Sequence, residues 1–165
     1  MRRTIQGGWK VAALVAVVIL TATACSKSST PATASYDVFA QQYRYHGMPA
    51  SIPSGDFQVN FSNKESFPIV HEMILAALPS GDSAQTVIDS AKAAGCTGGG
   101  PCESQYLHFG EIDDVSTGAT ISQVFNLPAG TYFFACWQQG TQSNPDSTTD
   151  PPHASKGMVF TFTVT

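Results

Sequence analysis

The sequence predicts an all-β fold, a Greek-key antiparallel β-sandwich with one inserted short helix, held outside the cytoplasm. Three observations carry this. Beyond Tyr36 most of the chain alternates apolar and polar residues with period two, the mark of half-buried strands. Turn signals (Pro53-Ser54-Gly55, Pro79-Ser80-Gly81, Pro128-Ala129-Gly130) separate the runs, with no βαβ rhythm. The N-terminus reads as an export signal.

Met1-Arg2-Arg3 and Lys10 form a basic start, and Val11 to Leu20 are ten unbroken apolar residues. A membrane-spanning helix needs about 20, so the run fits the apolar core of a secretory leader. Thr21-Ala22-Thr23-Ala24-Cys25 follows and resembles the lipobox of bacterial lipoproteins, although Ala22 stands where Leu is usual. The resemblance implies that residues 1–24 are removed. Cys25 would then be lipidated, anchoring the protein to the extracytoplasmic face of the cell membrane. An ordinary secretion signal would use Ala22 and Ala24 as its small pair. Residues 25–35, rich in Ser, Thr, Ala and Pro, read as a flexible tether. Residues 36–165 are left as one domain with chain enough for a core.

The leader holds three of the eight basic residues and none of the twelve acidic ones, so the remainder is near −7. Nucleic acid is excluded as a partner, because phosphate binding needs clustered Lys and Arg. A basic partner or a cation suits this charge.

Phe57, Val59 and Phe61 alternate with Gln58 and Asn60, and Ile121, Gln123 and Phe125 do so less cleanly. Met158, Phe160, Phe162 and Val164 pattern the last strand. Ile69 to Leu78 and Tyr132 to Trp137 are apolar on both parities, which predicts central strands. The helix is predicted after Asp82 or Ser83, with Ala84, Val87, Ile88 and Ala91 on one stripe and Gly95 ending it.

Of the four cysteines, lipidation of Cys25 leaves Cys96, Cys102 and Cys136. Cys96 and Cys102 flank Thr-Gly-Gly-Gly-Pro, which can fold back into a local disulfide. Cys136 then stays reduced in the most apolar strand. It reads either as a small core hydrophobe or as a soft thiolate ligand.

Four residues fall in the order His71, Cys136, His153, Met158, each at a strand end or in the final loop. Two imidazoles, a thiolate and a thioether are the ligand set of a blue copper site. Here the chain resembles the cupredoxin family of plastocyanin and azurin, and within it the cupredoxin-like domains of bacterial lipoproteins. The resemblance runs from about Tyr36 to Thr165. It rests on Ile52-Pro-Ser-Gly before a strand ending in Asn63, the His71-Glu72 pair, and Leu127-Pro-Ala-Gly-Thr-Tyr leading to Cys136. It also rests on Pro152-His153, Gly157-Met158 and the closing Phe-Thr-Phe-Thr-Val. By position it makes His71, Cys136 and His153 metal ligands and Met158 the axial thioether of one mononuclear copper. Sixteen residues, Trp137 to Pro152, separate Cys136 from His153, where simple electron-transfer members place only a few.

His46 reads as a strand-end residue, His108 as loop or edge strand, and Asp113-Asp114 as a solvated turn. His71-Glu72-Met-Ile-Leu75 lacks the second His of a zinc-protease motif. No catalytic pattern is present, so the expectation is a non-enzyme: a membrane-anchored copper protein for electron transfer or copper handling, working with a redox partner protein. Its rival is a metal-free sandwich acting as a binding or accessory lipoprotein.

Overall fold

The computed structural model describes residues 33–93, 95–145 and 147–165. The leader, Cys25 and most of the expected tether lie outside the described residues. The first strand, β1 (Ala34–Gln41), begins inside the segment read as tether, where Ala34 and Ser35 pair with Phe57 and Gln58.

After β1 come β2 (Arg44–His46), β3 (Ser51–Ile52), β4 (Gly55–Asn63) and β5 (Val70–Ala77). Helices α1 (Ala84–Ala91) and α2 (Pro101–Ser104) precede β6 (His108–Ser116), β7 (Thr120–Leu127) and β8 (Gly130–Ala135). A 3-10 turn (His153–Lys156) leads into β9 (Val159–Val164). One sheet runs β2-β1-β4-β7 and the other β3-β9-β8-β5-β6.

The sandwich is not wholly antiparallel as expected: β1 pairs β4 in parallel, and β3 pairs β9 in parallel. Between β1 and β4 the chain crosses to the second sheet to form β3, so it re-enters the first sheet in the direction of β1.

The two double-parity segments, β5 and β8, are both internal strands of the second sheet. Met73, Leu75, Tyr132 and Phe134 face the core between the sheets, with Phe57, Phe61 and Phe125. Ile74, Ala76, Phe133 and Ala135 face outward, where Val87 and Ala91 of α1 cover them together with Tyr106 and Trp137. The helix therefore seals a second apolar layer. Ser83 caps it, accepting from the Thr86 N–H, and Thr86 completes the capping box. Ile121, in edge strand β7, is 41 % exposed.

Asp113 and Asp114 do not form a turn. They lie within β6, where the register jumps from His71 opposite Val115 to Met73 opposite Ile112. Asp114 takes φ 48° there. This is a β-bulge, and it re-aims the start of β5, where His71 sits.

Cys96 and Cys102 are bonded, with Cα atoms 5.5 Å apart. The bridge closes a loop of only a few residues, for which chain entropy supplies about 2 kcal/mol. Replacing both cysteines with serine should lower unfolding stability by about that amount, with the cooperative transition kept. Urea unfolding of the two proteins measures this.

Candidate metal centre

His71 is the second residue of β5, Cys136 directly follows β8, and His153 opens the 3-10 turn. All three are fully buried. The backbone locks them together at one end of the sandwich. The Ala154 N–H donates to the Cys136 carbonyl (2.7 Å) and the His153 N–H to that of Gln138 (2.8 Å). Met158, also fully buried, donates from its N–H to the His153 carbonyl and accepts from the Cys136 N–H, both at 3.2 Å. It stands one residue before β9 rather than opening it.

The donors converge. His71 Nδ1 lies 3.0 Å from His153 Nδ1, and Cys136 Sγ lies 3.7 and 3.3 Å from these two nitrogens. A point in their plane is about 2 Å from all three, near metal–nitrogen and metal–sulfur bond lengths.

The outer nitrogen of each ring fixes its tautomer. His71 Nε2 lies 3.2 Å from Glu65 Oε1, and His153 Nε2 lies 3.2 Å from the Gly140 carbonyl. A carboxylate and a carbonyl accept, so both Nε2 atoms carry the proton and both Nδ1 atoms present lone pairs. Burial keeps both rings neutral. Desolvation lowers His71, against the pull of Glu65, and lowers His153 to about 3, helped by His71 and Lys156. In those tautomers the two Nδ1 atoms, 3.0 Å apart, both turn lone pairs toward the Cys136 thiol. Desolvation, then Glu72, pushes that thiol well up. The arrangement fits a cation, and two imidazoles with a thiolate are the trigonal donor set that suits copper.

The sixteen-residue loop does not carry His153 away. It folds back so that the Gly140 carbonyl meets both His153 and Lys156 Nζ (2.7 Å). Gly140 has φ 106°, and a side chain there would strike the Pro145 carbonyl.

Sequence reasoning missed several contributors. Tyr43 is half-buried and packs its ring edgewise on His71 and His153, at 5.8 and 5.0 Å. Glu65 is buried against His71. Glu72 accepts the Trp137 N–H (2.6 Å) and a Gln138 amide N–H (3.2 Å), and lines a cleft of about 690 Å³ with Glu103, Glu111, Asp113 and Asp114. An acid inside the apolar run Ile69 to Leu78 was a visible signal for Glu72. Nothing in Asn63-Lys-Glu-Ser separates Glu65 from a solvated loop acid. His46, stacked on Phe39, and His108, at the start of edge strand β6, lie outside the cluster.

Two buried groups oppose each other in acid. Desolvation raises Glu72 to about 7, so its contribution is full below the unfolded value and fades as pH rises through 7. His153 is lowered, so its contribution is present above about 6.5 and fades as pH falls. Between pH 7 and 5 the two nearly cancel. The metal-free Glu72→Gln domain should therefore lose about 2 kcal/mol more than wild type over that interval. Denaturant midpoints at the two pH values check this.

No protein-family model matches the chain, and no curated protein does. Solved structures do. Reduced auracyanin from the photosynthetic bacterium Roseiflexus castenholzii matches with TM-score 0.54 and 19 % identity, over 81 % of this chain and 98 % of that one. Auracyanin B matches with TM-score 0.53 and 23 % identity, over 82 % and 91 %. An azurin from the obligate methylotroph Methylomonas sp. strain J matches with TM-score 0.51 and 21 % identity, over 81 % and 99 %. Auracyanins and azurins are cupredoxins, and the fold of this chain is the cupredoxin fold.

Proposed function

We propose that this protein binds one copper ion through His71, Cys136, His153 and Met158 and serves in electron transfer or copper handling, with no substrate turned over. The observation that carries the reading is the convergence of His71 Nδ1, His153 Nδ1 and Cys136 Sγ, all fully buried, at 3.0 to 3.7 Å from one another. Bound copper supplies a one-electron couple. The chain's residues do the rest. Glu65 and Gly140 hold the two ring nitrogens in place, and the loss of the Cys136 proton supplies the thiolate. Met158, buried and tied by its backbone to Cys136 and His153, would supply a soft thioether. The sandwich would hold the donors in one arrangement in both oxidation states. The leader and Cys25 support a lipid anchor at the extracytoplasmic face of the membrane, where a redox partner protein would meet the domain.

The purified domain should take up one copper per chain and colour strongly with Cu(II), through thiolate-to-metal charge transfer. Cys136→Ser should abolish the colour. Met158→Leu should keep it and raise the reduction potential, since a donor that stabilises Cu(II) is lost. A colourless wild type with no stoichiometric copper leaves the metal-free binding module. Metal analysis, visible spectra and voltammetry decide.

Cys25→Ala should release the protein from the membrane or leave its leader uncut. Fractionation and the mass of the mature chain read the outcome. A variant that is trimmed and sediments with membranes as wild type does would remove the anchor.

A further inference from the structure

Glu65 is a loop acid whose side chain is only 2 % exposed. Burying a carboxylate is costly unless its acceptor positions are filled. Here the backbone fixes where it sits. The Glu65 N–H donates to Asn63 Oδ1 at 3.1 Å, and Asn63, fully buried at the end of β4, donates to the Ile69 and Val115 carbonyls at 2.8 and 2.9 Å. Asn63 thus ties the Glu65 loop to β6 and to the residue before β5, the strand that carries His71.

One oxygen of Glu65 does two things. Oε1 accepts the His71 Nε2–H at 3.2 Å and the Tyr43 N–H at 3.0 Å. Tyr43 and Gln42 form the β1–β2 turn, both at positive φ (55° and 52°) without a glycine, a conformation that costs about 1 kcal/mol or more per residue. The Tyr43 ring then lies on both histidines. A single carboxylate oxygen therefore holds the first ligand and the residue that covers the pair.

We infer that Glu65 is a positioning residue of the metal centre: it keeps His71 Nδ1 free to bind and brings negative charge one ring away from the metal, favouring the oxidised, more highly charged ion. The inference rests on the copper reading above. A carboxylate behind a ligating imidazole raises the basicity of that ligand, and a Cu(II) site gains more from this than a Cu(I) site.

Glu65→Gln tests the charge separately from the contact, because the amide keeps the shape and one acceptor oxygen. The variant should bind one copper with the thiolate colour retained. Its Cu(II)-over-Cu(I) preference should fall about tenfold, a rise of about 59 mV for one electron. Glu65→Ala should lose the contact as well. In the metal-free domain, nitrogen-15 NMR should find His71 in its Nε2–H form in wild type and Glu65→Gln, and a tautomer mixture in Glu65→Ala. A Glu65→Gln potential equal to wild type overturns the charge role. An Nδ1–H His71 in the wild-type domain overturns the positioning role. If wild type takes up no copper, the copper reading falls and the redox half falls with it. The tautomer result still decides whether Glu65 directs His71.

Discussion

Two imidazole nitrogens held 3.0 Å apart in the buried interior are the constraint around which this end of the sandwich is organised. Left to themselves, the rings would turn away or take up a proton. Neither happens, because each ring is gripped from behind, one by a carboxylate and one by a main-chain carbonyl. Those grips need supports of their own. Asn63 fastens the Glu65 loop, the Asp113–Asp114 bulge sets the start of β5, and Gly140 lets the long loop fold tightly enough to bring its carbonyl to His153. Such preorganisation carries its cost at folding, before any ion arrives.

The burial of these side chains also sets their charge state. Both histidines are neutral, the thiol is protonated, and Glu72 stands close to its titration point at neutral pH. A bound cation would take the place of the Cys136 thiol proton, leaving one negative charge at the sulfur. The Glu72 N–H lies 3.5 Å from that sulfur, while the Glu72 carboxylate is turned toward the Trp137 and Gln138 N–H groups. One residue thus offers its donor to the pocket and its acceptors to the flank.

Much of this was legible in the sequence, and for physical reasons. Period-two patterning marked β4 and β9, and double-parity runs marked β5 and β8, because burial on both faces leaves no room for polar residues. His71, Cys136 and His153 stood out because imidazole and thiol groups in apolar surroundings are chemically conspicuous, and the fold brings these three together. Pairing direction was not legible, since parallel β1–β4 depends on a two-residue strand, β3, too short to leave a pattern. The bulge was read as a turn because two acids in a row look solvated whether or not the chain reverses. Contributors that act through the backbone or through a loop side chain, such as Gly140, Glu65 and Tyr43, left no signal at all. Their roles come from where the chain returns to in space, six to more than a hundred residues from the groups they serve.

Neither histidine edge reaches solvent, and the Tyr43 ring occupies the space where one would emerge, with Lys156 Nζ resting 4.5 Å from its centre. An ion bound by the two histidines would therefore have an aromatic ring, and not open solvent, as its neighbour on that side. An aromatic ring passes electrons by tunnelling far more readily than it lets atoms through. The turn at Gln42 and Tyr43 would thus act as an insulator for chemistry and a conductor for charge.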